Sequence, residues 1–158
     1  MLDNLSDQFV YYNILLGKNS FKEGNLDTSE YYLIKSLEEH ETAESLFYIG
    51  MISSQKGNLF DALNYFYKAI ELEPEYSNPC NEIGVILLRC GREKEALFWL
   101  KRAVKSAYND APHIPLYNLA TLYRLWNKPE RSLQYIHRAL KIEPRFEEAI
   151  RLRDELLA

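Results

Sequence analysis

The 158-residue chain predicts an all-α fold of stacked antiparallel helix hairpins. Three observations carry that expectation. Small residues recur at a period near 34 positions. Apolar residues follow the i, i+3, i+4, i+7 spacing of a helix face, with little strand-like alternation. Glycine and proline number only six each, so the turns must be few and short.

The period stands in three separate columns. Gly17, Gly50, Gly84 and Ala120 lie 33, 34 and 36 residues apart. Ser29, Ala62, Ala96 and Ser132 repeat those intervals, and so do Ser36, Ala69, Ala103 and Ala139. A fixed period of this length is the mark of a stacked array in which no single unit covers its own apolar face. Copies are expected at about 10–42, 43–76, 77–110 and 113–146, with a capping helix at 147–158.

The first copy is atypical, with Ser20, Ser29, Leu33 and Ser36 in its key columns and Glu41 where the later copies suggest proline. The second is the clearest. Leu46, Ile49, Gly50 and Ser53 line one face of a first helix, A, with Gly50 and Gly84 bare where helix A must approach helix B. Gly57 suits the left-handed residue that ends helix A, and Asn58 the N-cap of helix B; Gly24 and Asn25 form the same pair one copy earlier. Ala62, Phe66, Ala69 and Ile70 make the facing stripe, and Pro74, like Pro144, stops helix B. The third copy ends in Tyr108, and two extra residues near Asn109–Pro112 predict an irregular corner there. The fourth replaces glycine with Ala120 and turns at Asn127-Lys128-Pro129. Beyond it, Phe146, Ala149, Ile150, Leu156 and Leu157 fall on one side of a lone helix that would shield the last hairpin from water.

The pattern large-x2-Leu-Gly, then Ala-x3-Phe, then Pro, in residues 43–76, resembles the tetratricopeptide repeat. The resemblance implies a right-handed α-solenoid, a single domain spanning 1–158, and a concave groove lined by the A helices. The implied groove positions are Tyr11, Ile14, Lys18 and Phe21; Glu44, Phe47, Met51 and Ser54; Asn78, Asn81, Val85 and Leu88; and Ile114, Tyr117, Thr121 and Arg124. That stripe runs from apolar and aromatic, through amides, to basic near Arg89 and Arg124. It suits a partner segment with apolar anchors at one end and acids at the other. Tyr11, Tyr117, Asn78, Asn81, Arg89 and Arg124 are expected to be exposed, since Tyr and Arg dominate contact surfaces. Ile14, Phe47, Val85 and Leu88 have packing against the neighbouring A helix as an alternative.

Some members of the family grip a chaperone's C-terminal carboxylate with two lysines and two asparagines. The matching positions here hold Ile14, Lys18, Tyr48, Asn78 and Glu82, and Glu82 would repel a carboxylate, so that use is disfavoured.

Composition bounds the remaining classes. Apolar residues make up 47% and charged residues 27%, a globular balance. Residues 1–76 carry 5 Lys/Arg against 13 Asp/Glu, a net of −8, and residues 77–158 carry 14 against 10, a net of +4. The overall −4 makes a poor nucleic-acid binder. No run approaches the ~18 apolar residues of a membrane span, and the first residues lack the basic start of a signal peptide. Cys80 and Cys90, too far apart on one helix to join, read as buried reduced thiols. These features suggest a soluble, cytoplasmic chain. His40, His113 and His137 occupy different repeat positions beside no nucleophile context, and no phosphate-cradling glycine motif occurs. No catalytic residue, metal ligand or cofactor is expected. The sequence therefore points to a protein-binding adaptor or scaffold whose partner is a peptide or helix of another protein. A self-associating subunit or homodimer, its acidic half meeting its basic half, is the alternative, with a small secretion-type chaperone as a narrower variant.

Overall fold

The computed structural model describes residues 5–106 and 108–158; the first four residues of the signal-peptide reading lie outside it. Nine helices fill the described residues: α1 (Leu5–Lys22), α2 (Leu26–Glu39), α3 (Ala43–Gln55), α4 (Leu59–Leu72), α5 (Asn78–Arg89), α6 (Glu93–Lys105), α7 (His113–Leu125), α8 (Pro129–Ile142) and α9 (Glu147–Leu157). Odd-numbered helices up to α7 are A helices, the even-numbered ones are B helices, and α9 is the expected cap. The chain divides into two compact units, Met1–Pro79 and Cys80–Ala158.

In the first unit α1 packs on α2 and α3 on α4 as antiparallel hairpins, and α2 and α1 each also meet α3. Bare backbone permits this closeness. A Cβ on Gly17 would stand 2.6 Å from Leu33 Cγ, and one on Gly50 would stand 2.6 Å from Phe66 Cε1. Leu33, Ile49 and Ile52 form a buried cluster on which Leu37 of α2 and Tyr65 of α4 also pack. Helix B contributes Ala62, Phe66 and Ala69, each fully buried, as the small–large–small stripe requires.

In the second unit α7 packs on α8, α6 on α7, and α8 on α9. A Cβ on Gly84 would stand 2.7 Å from Leu100, the same relation one copy on. Leu100, Leu119 and Leu122 gather Leu97 of α6 and Tyr135 of α8 around them. The cap α9 buries Ala149 and Leu152 against Ala120 and Ile136, with Phe146 and Leu156 alongside. Leu157, expected on that buried side, is 65% exposed. It lies in the last turn of α9.

The serines that make the first and fourth copies atypical have a bonding role. Ser29 Oγ donates to the Gly17 carbonyl and Ser132 Oγ to the Ala120 carbonyl, both at 2.8 Å and both buried. Each hydroxyl ties helix B to the close-approach position of helix A. Between the first and second copies, the buried Ser36 and Ser45 hydroxyls bond at 2.9 Å.

The turns follow the sequence with one correction. Gly57 adopts φ +86°, and Asn127 takes the equivalent left-handed position at φ 53°. Asn25 and Asn58 do stand at the N-caps of α2 and α4, but neither side chain makes a capping bond. With ψ near 70° the residue is too folded to aim its amide at the first-turn N–H groups. The side-chain cap is instead at Thr42, whose Oγ1 accepts from Ser45 N at 3.1 Å. The α6–α7 connection is the irregular corner expected: Ala111 N donates to Asn109 Oδ1 at 2.9 Å, and Tyr108 is exposed. Cys80 is buried, whereas Cys90, just past the end of α5, is exposed rather than buried.

Candidate functional site

The positions expected to bind a partner lie on the A helices, α1 and α3 in the first unit and α5 and α7 mainly in the second. In the first unit Ile14 and Phe47 are each 7% exposed and belong to the floor. Phe47 is enclosed by rings, with centroids 5.2 Å from Tyr48, 5.8 Å from Phe66 and 5.5 Å from Tyr76. Tyr76 closes the hairpin and is itself buried, so Phe47 has a partner that helical spacing alone could not reveal. Above that floor stand Tyr11, exposed, and Lys18, Phe21 and Met51, half-buried. Lys18 bridges the two A helices by an ion pair to Glu44, and its ammonium sits 5.6 Å from the Tyr48 ring centroid. Phe21 meets the edge of Tyr48 at 5.5 Å. Asn78, at the start of α5, is half-buried and donates to Tyr76 Oη at 3.3 Å.

In the second unit the expected exposure of Asn81 is overturned: it is 5% exposed. Its position faces Asn118 of α7, whose Nδ2 donates to Asn81 Oδ1 at 2.8 Å. Asn81 Nδ2 in turn donates to Glu82 Oε1 at 2.9 Å. This amide chain carries hydrogen bonds from α7 to a carboxyl on α5. Burial pushes the Glu82 carboxyl above the usual carboxylate range, against the Asn81 hydrogen bond and the charge of Arg89. Val85 and Leu88 are half-buried, and Arg89 is exposed.

On α7, Tyr117 is half-buried with its ring 5.2 Å from Phe146, and Thr121 Oγ1 donates to the Tyr117 carbonyl at 3.2 Å. Ile114 is exposed. Arg124 is exposed as expected, but its Nη1 pairs with Glu155 of the cap at 2.7 Å. Tyr117, Thr121 and Arg124 border a cavity of ≈ 220 Å³ against Glu148, Arg151, Leu152 and Glu155 of α9. The cap thus shares the expected binding positions of the last hairpin.

A further column escaped the sequence reading although it keeps the same intervals. Tyr32, Tyr65, Trp99 and Tyr135 stand at one position of each B helix, and Lys35, Lys68, Arg102 and Arg138 follow three residues later. The Arg102 guanidinium lies 5.5 Å from the Trp99 ring and that of Arg138 lies 5.3 Å from Tyr135. Each B helix of the second unit thereby holds the cation of this column over its own aromatic ring, and Arg131 of α8 also lies over Tyr123. Among the described residues no group of three or more His, Cys, Asp or Glu could hold a metal ion, and no helix is long and apolar enough to cross a membrane.

Hairpins of this length, closing at a bare A-helix position and stacked by small residues, define a helical-repeat protein. The sequence profile of the Tetratricopeptide repeat matches residues 43–76, 78–110 and 115–146. With more than half of the chain matched, it belongs to the tetratricopeptide repeat family. The first copy lies outside the match, yet α1 and α2 form the same kind of hairpin. No curated protein matches at a significant level.

Solved structures resemble the chain in fold. The PilF protein of Pseudomonas aeruginosa superposes with a TM-score of 0.88 at 19% identity, over 98% of this chain and 70% of that one. PilW, a widely conserved type IV pilus biogenesis factor, gives 0.79 at 17% identity, over 90% and 66%. YrrB, described as having an unusual peptide-binding site, gives 0.67 at 19%, over 87% and 71%. At these identities the likeness speaks to fold alone.

Proposed function

We propose that the chain is a protein-binding scaffold that takes an extended or helical segment of a partner protein along the inner faces of its A helices. The observation that carries this reading is the layered inner face. Ile14, Phe47 and Asn81 are committed to the floor, while Tyr11, Met51, Val85 and Arg89 remain available above it. Family membership supports the general role, and YrrB, a protein of similar fold, is described as having an unusual peptide-binding site. In the first unit Tyr11 and Met51 suit apolar partner residues, and in the second Arg89 suits an acidic one. No step of catalysis enters the reading.

The test is a peptide selected from a displayed random library, with its affinity read by fluorescence anisotropy. Tyr11→Ala and Arg89→Glu should each weaken it by about tenfold or more, since exposed Tyr and Arg are the residues that dominate contact energies. Affinity unchanged in both variants would remove the inner face from the account.

A further inference from the structure

The outer faces of the B helices change sign in register. Glu38 of α2 and Glu71 of α4 stand at the repeat position occupied by Lys105 of α6 and Lys141 of α8, and all four are exposed. The inversion extends to whole helices. Together α2 and α4 carry six acids against two bases, a net of −4, while α6 and α8 carry seven bases against three acids, a net of +4 with His137 neutral.

Each helix pair rests on one core: Leu37 and Tyr65 share a cluster in the first unit, and Leu97 and Tyr135 share one in the second. Neither face is purely polar. Ile34 and Tyr67 are 44% and 38% exposed on the acidic one, and Phe98 is 62% exposed on the basic one. Exposed apolar side chains among charges predominantly of one sign have the composition of an interface.

We propose that the acidic outer face of α2 and α4 in one copy docks on the basic outer face of α6 and α8 of a second copy. The repeat itself argues for a second copy over a foreign acidic protein. Both complementary faces belong to this chain, and each places its like charges one hairpin apart. Drift of surface charge would not reverse one column while leaving the next unchanged: three residues earlier, Lys35, Lys68, Arg102 and Arg138 keep one sign throughout. Arg102 and Arg138 are held over their own rings, whereas Lys105 and Lys141 are exposed, as is Lys101 of α6. Glu38 does pair with Lys35 at 3.0 Å, but at 60% and 42% side-chain exposure that bond yields readily to a stronger partner.

Sedimentation velocity of the full chain tests this. The wild type should associate at about 0.05 M salt and weaken by about tenfold or more at about 0.5 M, where the screening length falls below a side chain's reach. Lys105→Glu with Lys141→Glu takes α6 and α8 from a net of +4 to 0, and Glu38→Lys with Glu71→Lys takes α2 and α4 from a net of −4 to 0, so each variant keeps only one charged face. Neither double variant should associate alone, and an equimolar mixture of the two should. Circular dichroism checks that both fold, and the wild-type salt series stands even if one does not. A wild type that stays monomeric at low salt, assembly indifferent to salt, or folded variants that fail to associate when mixed would each overturn the proposal. Peptide affinity at the inner face should be unchanged in these variants, so failure here and failure of the scaffold reading are separate results.

Discussion

Gly50→Ala adds a single methyl group where the second hairpin is tightest. The new Cβ would lie 2.6 Å from Phe66 Cε1, 2.8 Å from Cδ1 and 3.2 Å from Cζ, against the about 3.5–4.0 Å of ordinary carbon contact. Phe66 is fully buried with Phe47 against it, so its ring has no free space to move into. Overpacking of this kind costs about 1–3 kcal/mol, and replacing a mid-helix glycine by alanine returns about 1 kcal/mol. The net expectation is a loss of about 0–2 kcal/mol, read as a lower urea midpoint by circular dichroism with an unchanged slope. The fourth copy supplies the control, because Ala120 already occupies this column in the cluster with Ile136. Gly50→Ala combined with Phe66→Ile rebuilds that pairing and should be more stable than the sum of the single changes by about 1 kcal/mol. A Gly50→Ala protein more stable than wild type, or strict additivity of the pair, would refute the close-approach argument.

Two further outcomes follow from the titrating groups. Because burial raises the Glu82 carboxyl above its ordinary value, the folded chain holds that proton more readily than the unfolded chain. Its contribution to stability is therefore full below the unfolded value near pH 4.5 and is lost as pH rises through the folded one. Glu82→Gln should raise the melting temperature at pH 7 and reduce the gain on acidification; a lower melting temperature at pH 7 would contradict this. Thiol labelling at about pH 8 should modify Cys90 quickly and leave Cys80 untouched until unfolding, since burial pushes the Cys80 thiol up to about 11. Two fast thiols per chain would contradict the burial of α5.

The repeat was legible because close helix packing demands a small residue at one place per hairpin, and that demand returns at a fixed interval. Gly17, Gly50 and Gly84 show it directly, each facing a large side chain sixteen residues on. The inner face was less legible. The column of Ile14, Phe47, Asn81 and Tyr117 lies at the border between core stripe and open surface, so burial there depends on what the neighbour offers. Tyr76 encloses Phe47, and Asn118 encloses Asn81. Neither partner belongs to the A-helix stripe that singled out these positions. Periodicity also cannot tell how far a cap extends, so it does not separate the exposed Leu157 from the buried Leu152. The B-helix aromatic and cationic columns stand in the sequence at the same intervals as the small-residue columns.

The scaffold reading is tested most directly by mapping where a bound peptide lies. Amide resonances recorded with and without a library-selected peptide, at about 0.5 M salt to suppress charge-driven association, should shift at Tyr11, Met51, Arg89 and Thr121. Shifts confined to α2, α4, α6 and α8, with the A helices silent, would contradict it.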